Sequence, residues 1–145
     1  MFPPKTILVP TDFSEYSDTA LEYAVNIAKQ NNAKIYLLHV IWIIRQCSGD
    51  YCFDDQTMKE LEQKSIDSSK EMIQKQVNKF KGIEIIPDIK KGTPYEEILN
   101  EQKGRKIDLI VIASHGKSGL LSHLIGSVAE KVARGAKCPV LLLRS

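Results

Sequence analysis

The chain has 145 residues, with 20 Lys and Arg against 18 Asp and Glu, a formal net charge of +2. That length fits one domain able to bury a core without metal or disulfide staples, and 43% hydrophobic with 26% charged residues is ordinary for a globular chain rather than a disordered or fibrous one. The near-neutral balance argues against a nucleic-acid partner, which calls for a concentrated basic face.

The longest apolar run, Ile35 to Ile44 with His39 inside it, covers ten residues, far short of the roughly 20 needed to span a bilayer as a helix. The opening Met1-Phe2-Pro3-Pro4-Lys5 lacks the pattern of a secretory signal. Three cysteines, an odd number, point to a reducing compartment. The expectation is a cytoplasmic protein with no membrane association.

Thr6 to Val9, closed by Pro10, is a short apolar strand buried on both faces. Glu15 to Asn31 places Ala20, Leu21, Ala24, Val25 and Ala28 on one helical face, with Ser14 positioned as its cap. Lys34 to Ile44 is a second buried strand, completing a βαβ unit with a right-handed crossover. Asp54 to Lys81 is polar with an imperfect helical rhythm, a long half-exposed helix, and Ile83 to Ile89 a third strand. Thr93-Pro94-Tyr95-Glu96 predicts a capping box opening a short helix through Ile98 and Leu99. Asp108 to Ala113 and Pro139 to Leu143 are the fourth and fifth strands. Between them, Leu124, Ile125, Val128, Ala129, Val132 and Ala133 predict a helix ended by Gly135. The alternation of strands and helices implies a doubly wound α/β fold, a five-stranded parallel sheet with helices on both faces, in a single domain covering residues 1–145.

Ligands of such sheets bind beyond the carboxyl ends of the strands, where the strand order reverses. The loops after the first and fourth strands are therefore the ones to examine. The first is Pro10-Thr11-Asp12-Phe13-Ser14; the second, Ala113-Ser114-His115-Gly116-Lys117-Ser118-Gly119, has the glycines that let backbone N–H groups close around anionic oxygens. Gly126-Ser127 adds a positive helix end and a hydroxyl. Gly126 interrupts a helical stripe, where glycine costs about 1 kcal/mol relative to alanine, which calls for a packing or ligand reason.

Spacing excludes several motifs. Gly116-Lys117-Ser118 is no P-loop tail, because the first glycine of that motif falls on Val111. No G-x-G-x-x-G follows the first strand. A G-x-S-x-G elbow around Ser114 fails at Ile112.

These residues resemble the universal stress proteins, in particular the subgroup that binds ATP. Ile7-Leu8-Val9-Pro10-Thr11-Asp12-Phe13-Ser14 is similar to that family's first strand and acidic loop, and Leu37-Leu38-His39-Val40 to its second strand. The family's signature G-x-x-G, nine residues, then G-[ST], is matched by Gly116, the nine residues Lys117 to Ile125, and Gly126-Ser127, with Ala113 standing where the first glycine belongs. The resemblance implies an adenine-nucleotide alpha-hydrolase-like sheet of strand order 3-2-1-4-5, and ATP with Mg²⁺ as ligand. It implies that Asp12 contacts the ribose, that the Val40 backbone faces the adenine, and that Gly116, Gly126, Ser127 and Val128 surround the phosphates. Pro10, Thr11, Ala113, His115 and Gly119 complete the implied site. It also implies a homodimer through the C-terminal strand, a stress-response switch for a protein partner of unknown identity, and ATP hydrolysis that is slow or partner-dependent at most.

Other readings attach to the same residues. Asp12 also suits a helix cap, and Gly116 and Gly119 suit ordinary turns. His39 lies in a buried strand as a core histidine, His115 orients its loop, and His123 is exposed. Cys47 and Cys52 form a lone pair open to a metal or redox reading, and Cys138 packs before a core strand. A small hydrolase using Ser114 with His115 or His39 and Asp12 is disfavoured because neighbouring turn residues rarely point at each other. A dimeric family member that binds no nucleotide is the remaining alternative.

Overall fold

The computed structural model describes residues 2–42, 54–116 and 124–144. The strands β1 (Thr6–Pro10), β2 (Lys34–Ile41), β3 (Ile85–Lys91), β4 (Leu109–Ala113) and β5 (Val140–Leu143) form one parallel sheet of order β3-β2-β1-β4-β5. The helices α1 (Glu15–Asn31), α2 (Asp55–Asn78), α3 (Pro94–Gly104) and α4 (Ser127–Gly135) connect them. The expected doubly wound class and strand order are thus observed.

Side chains of successive strand residues point to opposite faces, and the core divides accordingly. Ile7, Val9, Ile35, Leu37, Leu109 and Val111 pack with α1 and with Ile73 of α2. Leu8, Tyr36, Leu38, Ile110 and Ile112 pack with Ile98 of α3 and with Ala129 and Val132 of α4. A fully buried Ile or Leu contributes about 1.5–3 kcal/mol relative to exposure, so the central strands, apolar on both faces, anchor the fold. Asp108 secures the start of β1: its Oδ2 accepts from the N–H groups of Lys5 and Thr6 at 2.9 and 3.0 Å.

Several boundaries differ from expectation. β3 begins at Ile85 and runs on to Lys91, two charged residues beyond the predicted end; Lys90 and Lys91 turn outward to Glu101 and Glu62. α2 starts at Asp55 with Asp54 as its cap, Oδ1 accepting from Thr57 N–H at 2.7 Å. Thr93 occupies the N-cap of α3 with Pro94 next, yet its side chain makes no capping bond. The predicted capping box is not closed, and the Glu96 carboxylate accepts from the Tyr95 hydroxyl instead. α4 begins at Ser127, not Leu124, and Leu124 and Ile125 are exposed ahead of it. Among the described residues no helix is long and apolar enough to cross a membrane.

Candidate functional site

The strand order reverses between β1 and β4, and the two strands part there for a visible reason. They pair only at Ile7 with Leu109 and at Leu8 with Ile110. Beyond that, Thr11 N–H donates to Leu38 O at 2.8 Å, drawing the chain toward β2, while Ser114 N–H donates to Leu143 O at 2.8 Å, drawing it toward β5. A cleft of about 440 Å³ opens between them, at the switch point where ligands of open α/β sheets bind.

The acidic loop is fixed from three sides. Phe13 has φ +64°, a left-handed conformation uncommon outside glycine. The Thr11 hydroxyl accepts from Phe13 N–H at 3.1 Å and lies 3.1 Å from the Ser17 hydroxyl. His39 Nδ1 donates to Thr11 O at 2.8 Å, and its ring lies 4.4 Å from that of Phe13. Asp12 Oδ1 accepts from Ser14 N–H at 3.0 Å, an Asx turn. Ser14, not Asp12, caps α1, its side chain accepting from Ser17 N–H. The other Asp12 oxygen, Oδ2, lies against Gly116.

In the second loop Ser114 and His115 are 1% and 4% exposed. Ser114 Oγ lies 2.7 Å from His115 Nδ1, and the imidazole stacks beside Tyr16 at 5.6 Å. The two neighbours do point at each other, contrary to expectation. Their bond braces the loop rather than forming a triad, because a nearly inaccessible hydroxyl is poorly placed to meet a scissile carbonyl. Gly126 N–H donates to Ser114 O at 2.7 Å, which returns the chain to the end of β4 and aims the start of α4 at the cleft. Gly126 is the N-cap and no side chain caps the helix. The N–H groups of Ser127, Val128 and Ala129 therefore lack intrahelical acceptors, at the positive end of the helix dipole.

The opposite end of the cleft is apolar and carries an open strand edge. Leu38 O points toward β1, and Ile41 O toward β3, where it accepts from Gly92 N–H at 3.0 Å. Backbone groups alternate along a strand, so Val40 N–H and C=O also point toward the β1 side. β1 has already ended, its last paired residue being Pro10 opposite Leu38, and Val40 consequently presents a donor and an acceptor to the cleft.

Of the residues expected at the site, Pro10, Thr11, Asp12, Val40, Ala113, His115, Gly116, Gly126, Ser127 and Val128 all line this cleft. Gly119 lies outside the described residues, as do His123, Cys47 and Cys52. Sequence reasoning missed Ser17, Leu38, Trp42, Pro94, Ile98, Ile112 and Ala129 as lining residues, and Ser114, considered there only as the nucleophile of a disfavoured hydrolase, lines the cleft too. The period-two alternation of Leu38, Val40 and Trp42 was the available signal for the β2 contribution. His39 is half-buried with its Nδ1 engaged, as a core histidine, and Cys138 is half-buried ahead of β5. Among the described residues no group of three or more His, Cys, Asp or Glu stands ready to hold a metal ion.

Comparison with known proteins gives a consistent family. The chain is 34% identical over 144 residues to the universal stress protein MJ0531 of Methanocaldococcus jannaschii, covering 97% of this chain and 82% of that one. The solved structure of universal stress protein UspA from Lactobacillus plantarum superposes with a TM-score of 0.84 at 26% identity, covering 97% of both chains. A universal stress protein crystallised in complex with cAMP superposes with a TM-score of 0.62 at 25% identity, again over 97% of each chain. The profile of the Universal stress protein family matches residues 3–144. The chain therefore belongs to the universal stress protein family.

Proposed function

We propose that this protein is a cytoplasmic ATP-binding module of that family, in which Mg²⁺·ATP occupies the switch-point cleft and sets a conformation or partner choice. Two copies pair through β5, and hydrolysis is slow or partner-dependent at most. The observation that carries the reading is the pairing of two complementary ends in one cleft. Val40 offers a backbone donor and acceptor to a flat heteroaromatic edge, and the uncapped start of α4 offers N–H groups to phosphate oxygens.

The residues fit the ligand. Val40, Ile98 and Ile112 make an apolar seat for a base, and adenine presents a donor and acceptor side by side as the Val40 edge does. GTP presents a different pattern and binds more weakly. Mg²⁺ is commonly held by phosphates plus one or two carboxylates, and Asp12 supplies a carboxylate at the cleft. Bound there, the ion neutralises phosphate charge, while Ser127, Val128 and Ala129 orient the chain of phosphates. The relative crystallised with cAMP supports an adenine nucleotide as the ligand class.

Isothermal calorimetry tests the proposal. ATP with Mg²⁺ gives saturable heat and GTP binds more weakly; no heat with ATP overturns the proposal in favour of a family member that binds no nucleotide, and equal affinity for both overturns the adenine selectivity assigned to the Val40 edge.

A further inference from the structure

β2 ends in an aromatic residue that the folded chain leaves in water. Trp42 is the only tryptophan of the sequence, it is 62% exposed, and it forms part of the cleft rim. Tyr36, Leu38 and Val40 put their side chains on the α3 and α4 face of the sheet. β2 keeps its pairing with β3 through Ile41, so Trp42 continues the same series one step past Val40. The open backbone edge and the exposed indole therefore stand two residues apart in the cleft that Pro94 and Ile98 also line.

A flat heteroaromatic ring whose edge meets the Val40 backbone has its face available for an aromatic neighbour, and the indole has the largest π-surface of any side chain. We propose that Trp42 is a specificity-determining residue of the cleft, stacking on the nucleobase and favouring purines over pyrimidines by ring area. This rests on the nucleotide reading of the same cleft but is separable from it. The Val40 edge distinguishes adenine from guanine; Trp42 distinguishes large rings from small ones. The phosphate end contributes to neither choice.

Because the tryptophan is unique, its emission reports directly on the contact. ATP quenches the fluorescence of the full-length protein, and ribose 5′-triphosphate, which has no base, leaves it unchanged. Trp42→Ala weakens ATP binding in calorimetry roughly 5- to 150-fold, the range of a lost base–aromatic stack, narrows the preference for ATP over CTP, and leaves affinity for ribose 5′-triphosphate as in the parent. Trp42→Phe retains most of the ATP affinity. An exposed side chain is a safe substitution site, and circular dichroism verifies the fold. ATP heat in the parent with no change of emission and no loss in Trp42→Ala overturns the stacking while leaving nucleotide binding in place. Equal losses for ATP and ribose 5′-triphosphate also overturn it, because the residue then shapes the cleft rather than reading the base. No ATP heat in the parent removes both readings.

Discussion

Asp12 and Gly116 meet across the switch point: a β-carbon at position 116 would overlap Asp12 Oδ2. Gly116 is not among the glycines with positive φ, so the position needs a glycine for space rather than for backbone conformation. The acidic loop and the glycine loop thus approach closely, with one carboxylate oxygen of Asp12 engaged by Ser14 N–H and the other lying in the space a Gly116 side chain would take.

Gly116→Ala therefore displaces the carboxylate. Loss of the Asp12–Ser14 bond destabilises the fold by about 1 kcal/mol, the usual worth of such a bond, and ATP affinity falls by about tenfold. Asp12→Ala removes the obstacle as well as the carboxylate. The double variant then loses less than the sum of the two single losses, with a coupling of about 0.5–3 kcal/mol expected for residues in contact. Strict additivity in urea melts and calorimetry would show that the two loops do not touch.

At the other loop, Gly126 has φ −63° and ψ 155°, an extended conformation that any residue adopts. Backbone strain is thus no obstacle to β-branched residues there, and the helical interruption expected from the sequence is instead a helix start. Gly126→Val still abolishes ATP binding with the fold intact, through the bulk it places in the cleft. Gly126→Ser is more informative. Its hydroxyl caps α4 and adds a few tenths of a kcal/mol to stability, yet it occupies an N–H group that a phosphate would use. The melting temperature rises while ATP affinity falls; a parallel rise of both would detach the α4 terminus from the ligand.

Legibility followed the physics of each element. The apolar runs of β1 and β4 and the one-faced pattern of α1 were unambiguous because tertiary packing agrees with local pattern. Lys90 and Lys91 were missed as strand because their charge is satisfied by Glu101 and Glu62, contacts made only in three dimensions. Leu124 and Ile125 imitated a helical face, but α4 starts only where Gly126 N–H closes onto Ser114 O. At the site, glycine spacing and the acidic loop brought together residues distant in sequence. Ile98 and Pro94 escaped notice because α3 reaches the cleft by packing on β2, which no local motif encodes.

Cys138 carries a pH dependence of stability. Burial, and secondarily the negative charge of Asp108, push its thiol above the usual value of 9.0. The folded state thus favours the protonated form, and this contribution is fully present below pH 9.0. As the pH rises past that value the unfolded thiol ionises first, and stability falls until the folded thiol ionises too. Cys138→Ala lacks this slope. The difference in urea midpoint between parent and variant, constant below pH 9.0, shifts in favour of the variant above it; a difference that stays constant throughout would show that the thiol is solvated in the folded chain.

Among the described residues β5 pairs only with β4 and lies at the edge of the sheet. All four of its residues remain half-buried in the single chain. Packing of Val140 and Leu142 in the cluster that contains α4 thus leaves the strand only partly covered. An open apolar edge invites pairing, and a second copy meeting it antiparallel across a two-fold axis closes both edges at once. The backbone direction provides a selective test. Pro139 O and Leu143 O accept from Ile110 and Ser114, so odd-numbered residues serve β4, and Val140 and Leu142 direct their backbone groups outward. Leu142→Pro removes one outward donor without touching the β4 ladder, whereas Leu142→Ala shortens the side chain and keeps that donor. Light scattering at micromolar concentration gives twice the chain mass for the parent and for Leu142→Ala, and the single-chain mass for Leu142→Pro. A parent running as a monomer refutes the dimer, and a dimeric Leu142→Pro variant moves its interface away from the β5 edge.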